Sequence, residues 1–408
     1  MEPNQRLTPY PLRGGWTLIT SAALTTVAAI WGYFLLIPFE TAPDLATLAL
    51  IAFGLFAVYR EEKVPSLLQW EDYLVILVLT LVVAISTALS DSPVKALGFL
   101  VYLLINLFLL LLATTLRGRR AAELTVFAIA VFGVIHVLAL LFSGQSAGAT
   151  GADSIVKQAG LATLIVPNDA LILGLCLPSL MFALLDRGRW RLPARVILVV
   201  YVLSSVFICH LLQSKVALLS IVMAVLMMLI FRFMITRRGK VRLKLLPVIS
   251  TLSGFILFAG GLALYLGNQS TTRLSLWWEA ATAHTSVMDY LFGSGPNSFL
   301  YNPTAIKPLF DGGDLIIPWV HNLYLETWHD LGLLGLLTLI AMTVLPIIRA
   351  LRIKDGNMGA MILASMTVFI LAAMLEVTLT RRFYFAFLAL FYGLALSQTL
   401  ESSHENTH

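Results

Sequence analysis

The chain has 408 residues, of which 59% are apolar and 12% are charged, whereas an average soluble domain is about 45–50% apolar and about 25% charged. A water-soluble protein of this length could not bury so many apolar side chains, so soluble, disordered, fibrous and nucleic-acid-binding classes are excluded. The net charge is +5, but in a membrane protein the side on which the cations lie matters more than their sum. Cys176 and Cys209 both lie in apolar runs, which indicates buried thiols and no disulfide framework.

Twelve apolar runs follow one another along the chain. A helix that crosses roughly 30 Å of hydrocarbon needs about 20 apolar residues, so these runs predict an all-α, polytopic integral membrane protein with about 12 transmembrane helices. In chain order the runs are Trp16–Ile37, Leu45–Tyr59, Tyr73–Leu89, Ala96–Leu116, Ala121–Phe142, Asp169–Leu185, Pro193–Leu212, Val216–Phe231, Leu246–Leu266, Leu331–Ala350, Met358–Leu375 and Phe383–Leu400.

The distribution of cations predicts the orientation of these spans. With a cytoplasmic N-terminus, 20 of the 27 Lys and Arg residues fall on inner connections and 7 on outer ones, as the positive-inside rule expects. Both termini are then cytoplasmic. The predicted organisation is nine spans within residues 1–266, a large outer loop at 267–320, three spans within 321–400 and a polar cytoplasmic tail at 401–408. The seven outer cations are Lys95, Lys157, Lys215, Arg273, Lys307, Arg381 and Arg382.

The large outer loop carries the first candidate site residue. Loops of this length are usually functional or disordered, and its many aromatic residues favour a loop that folds back onto the membrane surface. Arg273 stands near its start, ahead of a stretch that predicts a helix with one apolar face. That face comprises Leu274, Trp277, Trp278, Ala281 and Ala283. The alternative is an interfacial helix whose Arg273 only snorkels to lipid headgroups.

An enzyme at the outer face has no ATP, so its substrate must carry its own leaving group. A lipid-linked pyrophosphate held by Arg or Lys fits this requirement. Lys215 is a further outer cation that anchors the membrane edge or, alternatively, reaches a phosphate. Arg381 and Arg382 pair with neighbouring residues or, alternatively, form a second phosphate clamp. Asn168 is expected to cap the sixth span, which leaves a second role at the site open. The stretch 293–297 (Gly-Ser-Gly-Pro-Asn) predicts a plain turn, with a phosphate nest as the alternative.

His321 lies where the outer loop re-enters the membrane. If one helix runs through this segment, His321 and Gly332 are eleven positions apart, which is about three turns, and Gly335 lies within about 40° of the same stripe. The two glycines would then let another helix or a lipid tail approach closely. The alternative is that His321 only caps the helix or lies at headgroup level. His329, about 80° away by the same count, is expected to support it.

The outer histidines and aspartates do not predict a metal site. His284, His321, His329, Asp311 and Asp314 all fall on the outer side, but no metal-ligand spacing connects them. We therefore expect no metal and no other cofactor.

The spacing around His321 resembles a motif of the O-antigen ligase family. His321 and Asn322 are followed, after nine residues, by Gly332 and then, after two more, by Gly335. Arg273 before a Trp pair and Asn168 at the sixth span add to the resemblance, which covers roughly the C-terminal 250 residues by the positions of these motifs. Where many relatives carry Ser-Arg, this chain has Ser-Lys at Lys215, which keeps the charge but loses the bidentate fork.

The resemblance implies a GT-C-like glycosyltransferase of the bacterial inner membrane, with its active site on the periplasmic side. Such an enzyme moves a glycan from undecaprenyl pyrophosphate onto lipid A–core oligosaccharide, with inversion and without a metal or nucleotide. It implies His321 as the base and Arg273 as the main pyrophosphate contact. It further implies substrate-binding roles for Lys215, Arg381, Arg382, Asn168 and Asn322.

Two other functions remain open on the sequence. A polymerase of O-antigen or exopolysaccharide shares the same site and uses a lipid-linked repeat unit as acceptor. A transporter or flippase for lipid-linked glycans also fits twelve spans, but such proteins usually show repeated halves and polar residues near the bilayer midplane. Here the ionisable residues cluster at the outer rim, which favours transfer over transport.

Overall fold

The structure, a computed structural model, describes most of the chain from residue 70 onward. It covers 70–94, 96–97, 99–100, 103, 106–107, 110, 119–142, 170–185, 191–212, 214–236, 254, 261, 271–296, 298–301, 306–310, 313–316, 320–353, 355–375 and 382–404. The first two predicted spans lie outside the described residues, and the ninth does so except for Gly254 and Gly261.

The described elements are helices, with one short hairpin. In chain order they are α1 Trp70–Leu89, α2 Arg119–Phe142, α3 Leu171–Leu185, α4 Arg191–Leu211, α5 Lys215–Thr236, α6 Thr271–Thr282, α7 Val287–Phe292, α8 Ser298–Tyr301, β1 Ile306–Phe310, β2 Gly313–Ile316, α9 Leu323–Ala350, α10 Gly356–Leu375 and α11 Arg382–His404.

Five of these helices are long and apolar enough to cross a membrane: α1, α4, α5, α9 and α10. Shorter apolar stretches lie in α2, α3 and α11, so eight predicted spans correspond to described helices. A helix satisfies all its backbone hydrogen bonds within one segment, which is why apolar runs in lipid fold this way. The prediction of a helical membrane protein is confirmed.

The helices pack around α10. In the most apolar stretch of α10, 94% of the residues are buried, against 28% in α4. α10 packs on α5, α9 and α3, and α5 packs in turn on α3. α4 leaves Leu192, Leu203 and Phe207 exposed, as expected for a helix that faces lipid. α9 contacts α1, α10 and α11 along its length and the loop helices α6, α7 and α8 near its start.

A two-stranded hairpin lies in the large loop and was missed by the all-α prediction. β1 pairs antiparallel with β2, with Ile306 opposite Ile316 and an irregularity between Pro308 and Phe310. The intervening sequence, Asp311–Gly312, is a known hairpin signal that could have revealed it.

A buried charge network lies at the end of α9 farthest from His321. The Nη2 of Arg349 is 2.5 Å from the Oδ1 of Asp72 in α1, and the hydroxyl of Tyr392 in α11 donates to the same oxygen. All three residues are buried. Arg349 is one of the 20 cations predicted on inner connections, but it lies inside α9 and is part of a network that joins three helices.

Candidate functional site

His321 lies in a turn immediately before α9. Its φ is 56°, and among the described residues it is the only one other than glycine with a positive φ. Asn322 is the N-cap of α9: its Oδ1 accepts from the backbone N–H groups of Tyr324 and Leu325, both at 3.1 Å. Its Nδ2 donates to the Met374 carbonyl at the end of α10, at 3.0 Å. Asparagine is a favoured N-cap because its side-chain oxygen satisfies these free donors.

The predicted single helix through His321 is therefore wrong. α9 begins at Leu323, one residue after the cap, and Gly332 interrupts it with φ 67° and ψ −165°. Because His321 lies before the helix and Gly332 breaks it, His321, Gly332 and Gly335 do not form one helical stripe. The structure also assigns the cap to Asn322, so the alternative that His321 caps the helix is wrong as well.

The glycine at the interruption is required by a close backbone contact. A Cβ on Gly332 would lie 2.5 Å from the carbonyl carbon of Leu291 and 2.6 Å from the nitrogen of Gly293. The sequence predicts that these glycines admit another helix or a lipid tail. At Gly332 the approaching group is the backbone at the end of α7, a short helix of the 267–320 loop.

The interruption lets three consecutive carbonyls of α9 accept from the loop at 267–320. The Trp328 carbonyl lies 2.9 Å from His284 Nε2. The carbonyls of His329 and Asp330 accept from the N–H groups of Ser294 and Gly295, both at 3.0 Å. The N–H groups of Ser294 and Gly295 therefore bond to α9 and are not free to bind a phosphate. This agrees with the plain turn that the sequence favoured over a phosphate nest.

A buried cluster of polar side chains strengthens the same contact between α9 and the loop. The Nδ1 of His329 is 2.8 Å from the Oδ1 of Asp330, and the Ser298 hydroxyl donates to that oxygen at 2.9 Å. His329 and Asp330 are 2% and 0% exposed, so the His329 ring is inaccessible to a sugar. His329 contacts the 267–320 loop, and its predicted support of His321 stays a prediction. Asp330 and Ser298 were not among the predicted residues. A consecutive His–Asp pair inside an apolar stretch was the available signal.

His284 completes the cluster from the segment between α6 and α7. Its ring stacks on that of His329, with centroids 6.1 Å apart, and meets the Trp328 ring edge-on at 5.0 Å. Burial lowers the pKa of His284 and outweighs the opposing effect of its hydrogen bond to Trp328. Its Nδ1 is buried without a hydrogen-bonding partner in the described part of the chain. Within that part no metal-like group of three or more His, Cys, Asp or Glu side chains occurs.

α6, the helix that carries Arg273, contacts the segment just before His321 through Trp277. The indole N–H of Trp277 donates to the Val320 carbonyl at 2.9 Å. Leu276, Ala280 and Val320 are buried together in a small apolar cluster. Arg273 precedes Trp277 by four residues, which is about 6 Å along the helix axis.

The predicted apolar face of α6 is wrong in part. The buried residues are Leu276 and Ala280, whereas Trp278 is 73% exposed and Ala281 is also exposed. The prediction of a helix at Arg273 is confirmed, but the side of the helix that packs is rotated relative to the predicted one.

The remaining predicted site residues are less closely connected to His321. Lys215 is exposed at the first position of α5. The close approach of Gly174 to Ser220 places the start of α3 beside the start of α5. Arg382 is the first residue of α11, and Asn168 and Arg381 lie outside the described residues. The structure thus brings together α6, His321 and Asn322, while the roles of the other cations stay predictions.

No model of a known protein family matches the chain, and a search among curated proteins gives no match.

Proposed function

We propose that this protein is an inner-membrane glycosyltransferase of the O-antigen ligase type. It transfers a glycan from undecaprenyl pyrophosphate to lipid A–core oligosaccharide on the periplasmic side. In this proposal the fold is GT-C-like with about twelve spans, both termini are cytoplasmic, and the outer loop at 267–320 faces the periplasm. The observation that carries it is the bond from Trp277 to Val320, which joins the helix of Arg273 to the turn of His321.

The backbone of His321 gives independent support. A non-glycine residue with a positive φ is uncommon, although histidine is among the residues that adopt it more often. Such conformations persist only where the surroundings enforce them, and they cluster at functional sites. Here the Asn322 cap on one side and the Trp277 bond on the other enforce it.

The proposed chemistry divides between the two residues. Pyrophosphate is a good leaving group, so its departure needs neutralisation of charge, which Arg273 supplies. The acceptor hydroxyl is a weak nucleophile, so His321 takes its proton as the oxygen attacks the anomeric carbon. The bond from that carbon to the pyrophosphate oxygen breaks on the opposite face, which inverts the configuration. No metal or nucleotide takes part in these steps.

The test is a transfer assay with purified protein in lipid, with lipid-linked glycan as donor and lipid A–core as acceptor. His321→Ala is expected to reduce turnover by roughly two to four orders of magnitude, the usual range for loss of a general base. Arg273→Ala is expected to impair donor binding or turnover, and Arg273→Lys to recover only part, because Lys lacks the planar fork. His210→Ala and Arg352→Ala, which remove exposed side chains elsewhere, serve as matched controls.

The choice of acceptor separates this proposal from its alternatives. Transfer to a second lipid-linked repeat unit in place of lipid A–core would identify a polymerase. Movement of the lipid-linked glycan across the bilayer without a new glycosidic bond would identify a transporter. A folded His321→Ala protein with wild-type turnover would refute the assignment of the base, and inhibition by EDTA that a defined metal reverses would refute the metal-free mechanism.

A further inference from the structure

Two neighbouring tryptophans in α6 have opposite environments. Trp278 is 73% exposed. Trp277 is partly buried and packs both on the small cluster around Leu276 and Val320 and on the main helical core. Its indole N–H also donates to the Val320 carbonyl. The same residue type in adjacent positions therefore provides an internal comparison between an anchored and an unanchored indole.

The Val320 carbonyl needs this donor because of its position. Val320 is 0% exposed and stands two residues before the N-cap of α9. The first carbonyl of the helix that accepts a backbone N–H is that of Asn322, which accepts from Glu326 at 2.9 Å. A buried carbonyl without a partner is costly, and the indole N–H of Trp277 removes that cost.

The same bond fixes the orientation of His321. The peptide between Val320 and His321 is planar, so the direction of the Val320 carbonyl also sets the direction of the His321 N–H. The Asn322 cap holds the chain on the other side of His321. The Val320–His321 peptide is thus held on one side and the Asn322 side chain on the other, and these contacts oppose relaxation of His321 to the common region of backbone conformation.

We propose that Trp277 is a positioning residue that aims His321 at the reacting sugar and couples it to the helix of Arg273. This inference rests on the proposed function, since it requires His321 to act on the substrate. Trp277 acts through the backbone of His321 and has no chemical role of its own. Trp278 has no such connection and is dispensable for transfer.

The first test compares Trp277→Phe with Trp278→Phe in the transfer assay. Trp277→Phe keeps an aromatic ring but loses the N–H, and we expect its kcat to fall roughly 10- to 100-fold, as small misplacements of catalytic groups do. The KM for the acceptor should change less than about threefold, because the lost interaction belongs to the catalytic step. Trp278→Phe should remain within about twofold of wild type, as expected for an exposed position.

If Trp277→Phe does not fold, a tryptophan analogue with sulfur in place of the indole N–H decides the question. This analogue keeps the bicyclic shape and loses only the donor. Introduced at position 277 it should reproduce the fall in kcat, and introduced at position 278 it should have no effect. Equal activity of the two substituted proteins would overturn the proposal.

A double variant separates positioning from general destabilisation. If Trp277 acts through His321, Trp277→Phe should lower the residual turnover of His321→Ala by less than about twofold, because residues that act as a unit are not additive. A full additional loss in that background would show a purely structural role and overturn the inference. Wild-type turnover of His321→Ala alone would instead refute the proposed base, independently of any result at Trp277.

Discussion

Replacement of Gly332 by alanine tests the junction between α9 and the outer loop. Its backbone, at φ 67° and ψ −165°, is accessible almost only to glycine, and a side chain there costs about 1–3 kcal/mol. The new Cβ would also lie 2.5 Å from the Leu291 carbonyl carbon. That atom is backbone and cannot rotate away, so overpacking adds about 1–3 kcal/mol. We expect Gly332→Ala to destabilise the protein by about 2–6 kcal/mol in total.

Gly254 provides the matched control. It is a helical, exposed glycine whose added Cβ would meet no atom within 4 Å. Gly254→Ala should therefore be neutral or stabilising by up to about 1 kcal/mol, the difference in helix propensity. Equilibrium unfolding of both variants in mixed micelles measures the effect. Equal stability of Gly332→Ala and Gly254→Ala would refute the inferred contact between the loop and α9.

Three further predictions concern the charge network, the buried histidine and the topology. Arg349→Ala leaves Asp72 as an uncompensated buried charge and should lower the unfolding free energy by about 3–5 kcal/mol. A loss of less than about one-tenth of that value would show that the pair is dispensable. The pKa of His284 is lowered from 6.5, so the unfolded chain binds more protons, and unfolding free energy should fall as pH drops below about 6.5. His284→Gln should flatten this slope in pH-dependent unfolding, and an unchanged slope would assign it to another group. Reporter fusions should place residues 267–320 outside and 237–244 inside; the opposite result would remove the site from the periplasmic face.

The apolar pattern was sufficient to predict most of the described helices. α1, α2, α3, α4, α5, α10 and α11 each begin or end within a few residues of a predicted run, because the length of an apolar run in lipid is set by the thickness of the hydrocarbon. The start of α9 is the main exception: it lies eight residues before the predicted Leu331. Polar residues such as Glu326 and Asp330 fill the first turns of α9, and a hydropathy pattern does not recognise polar residues that are buried by tertiary contacts.

The candidate site was predictable as a set of residues but only partly as a geometry. His321, Asn322 and Arg273 were selected from their types and spacing, and the structure places the helix of Arg273 against the turn of His321. The role of Trp277 was not predictable, because its hydrogen bond joins residues 43 positions apart in the chain. The adjacent Trp278 is of the same residue type and was predicted on the same apolar face, so the pattern did not distinguish the two.

By itself the sequence determined that this is a helical membrane protein and where most of its described helices lie, and it selected the residues that we propose carry chemistry. These are properties of local composition. Each apolar run forms a helix that makes its own backbone hydrogen bonds, and its apolar side chains favour the hydrocarbon of the bilayer. Only the tertiary structure decided that α9 breaks at Gly332 and that His321 stands outside the helix. It also decided that the loop at 267–320 donates to the carbonyls of Trp328, His329 and Asp330. Those features depend on contacts between segments distant in the chain, and backbone groups released by a helix break find partners that no periodicity specifies.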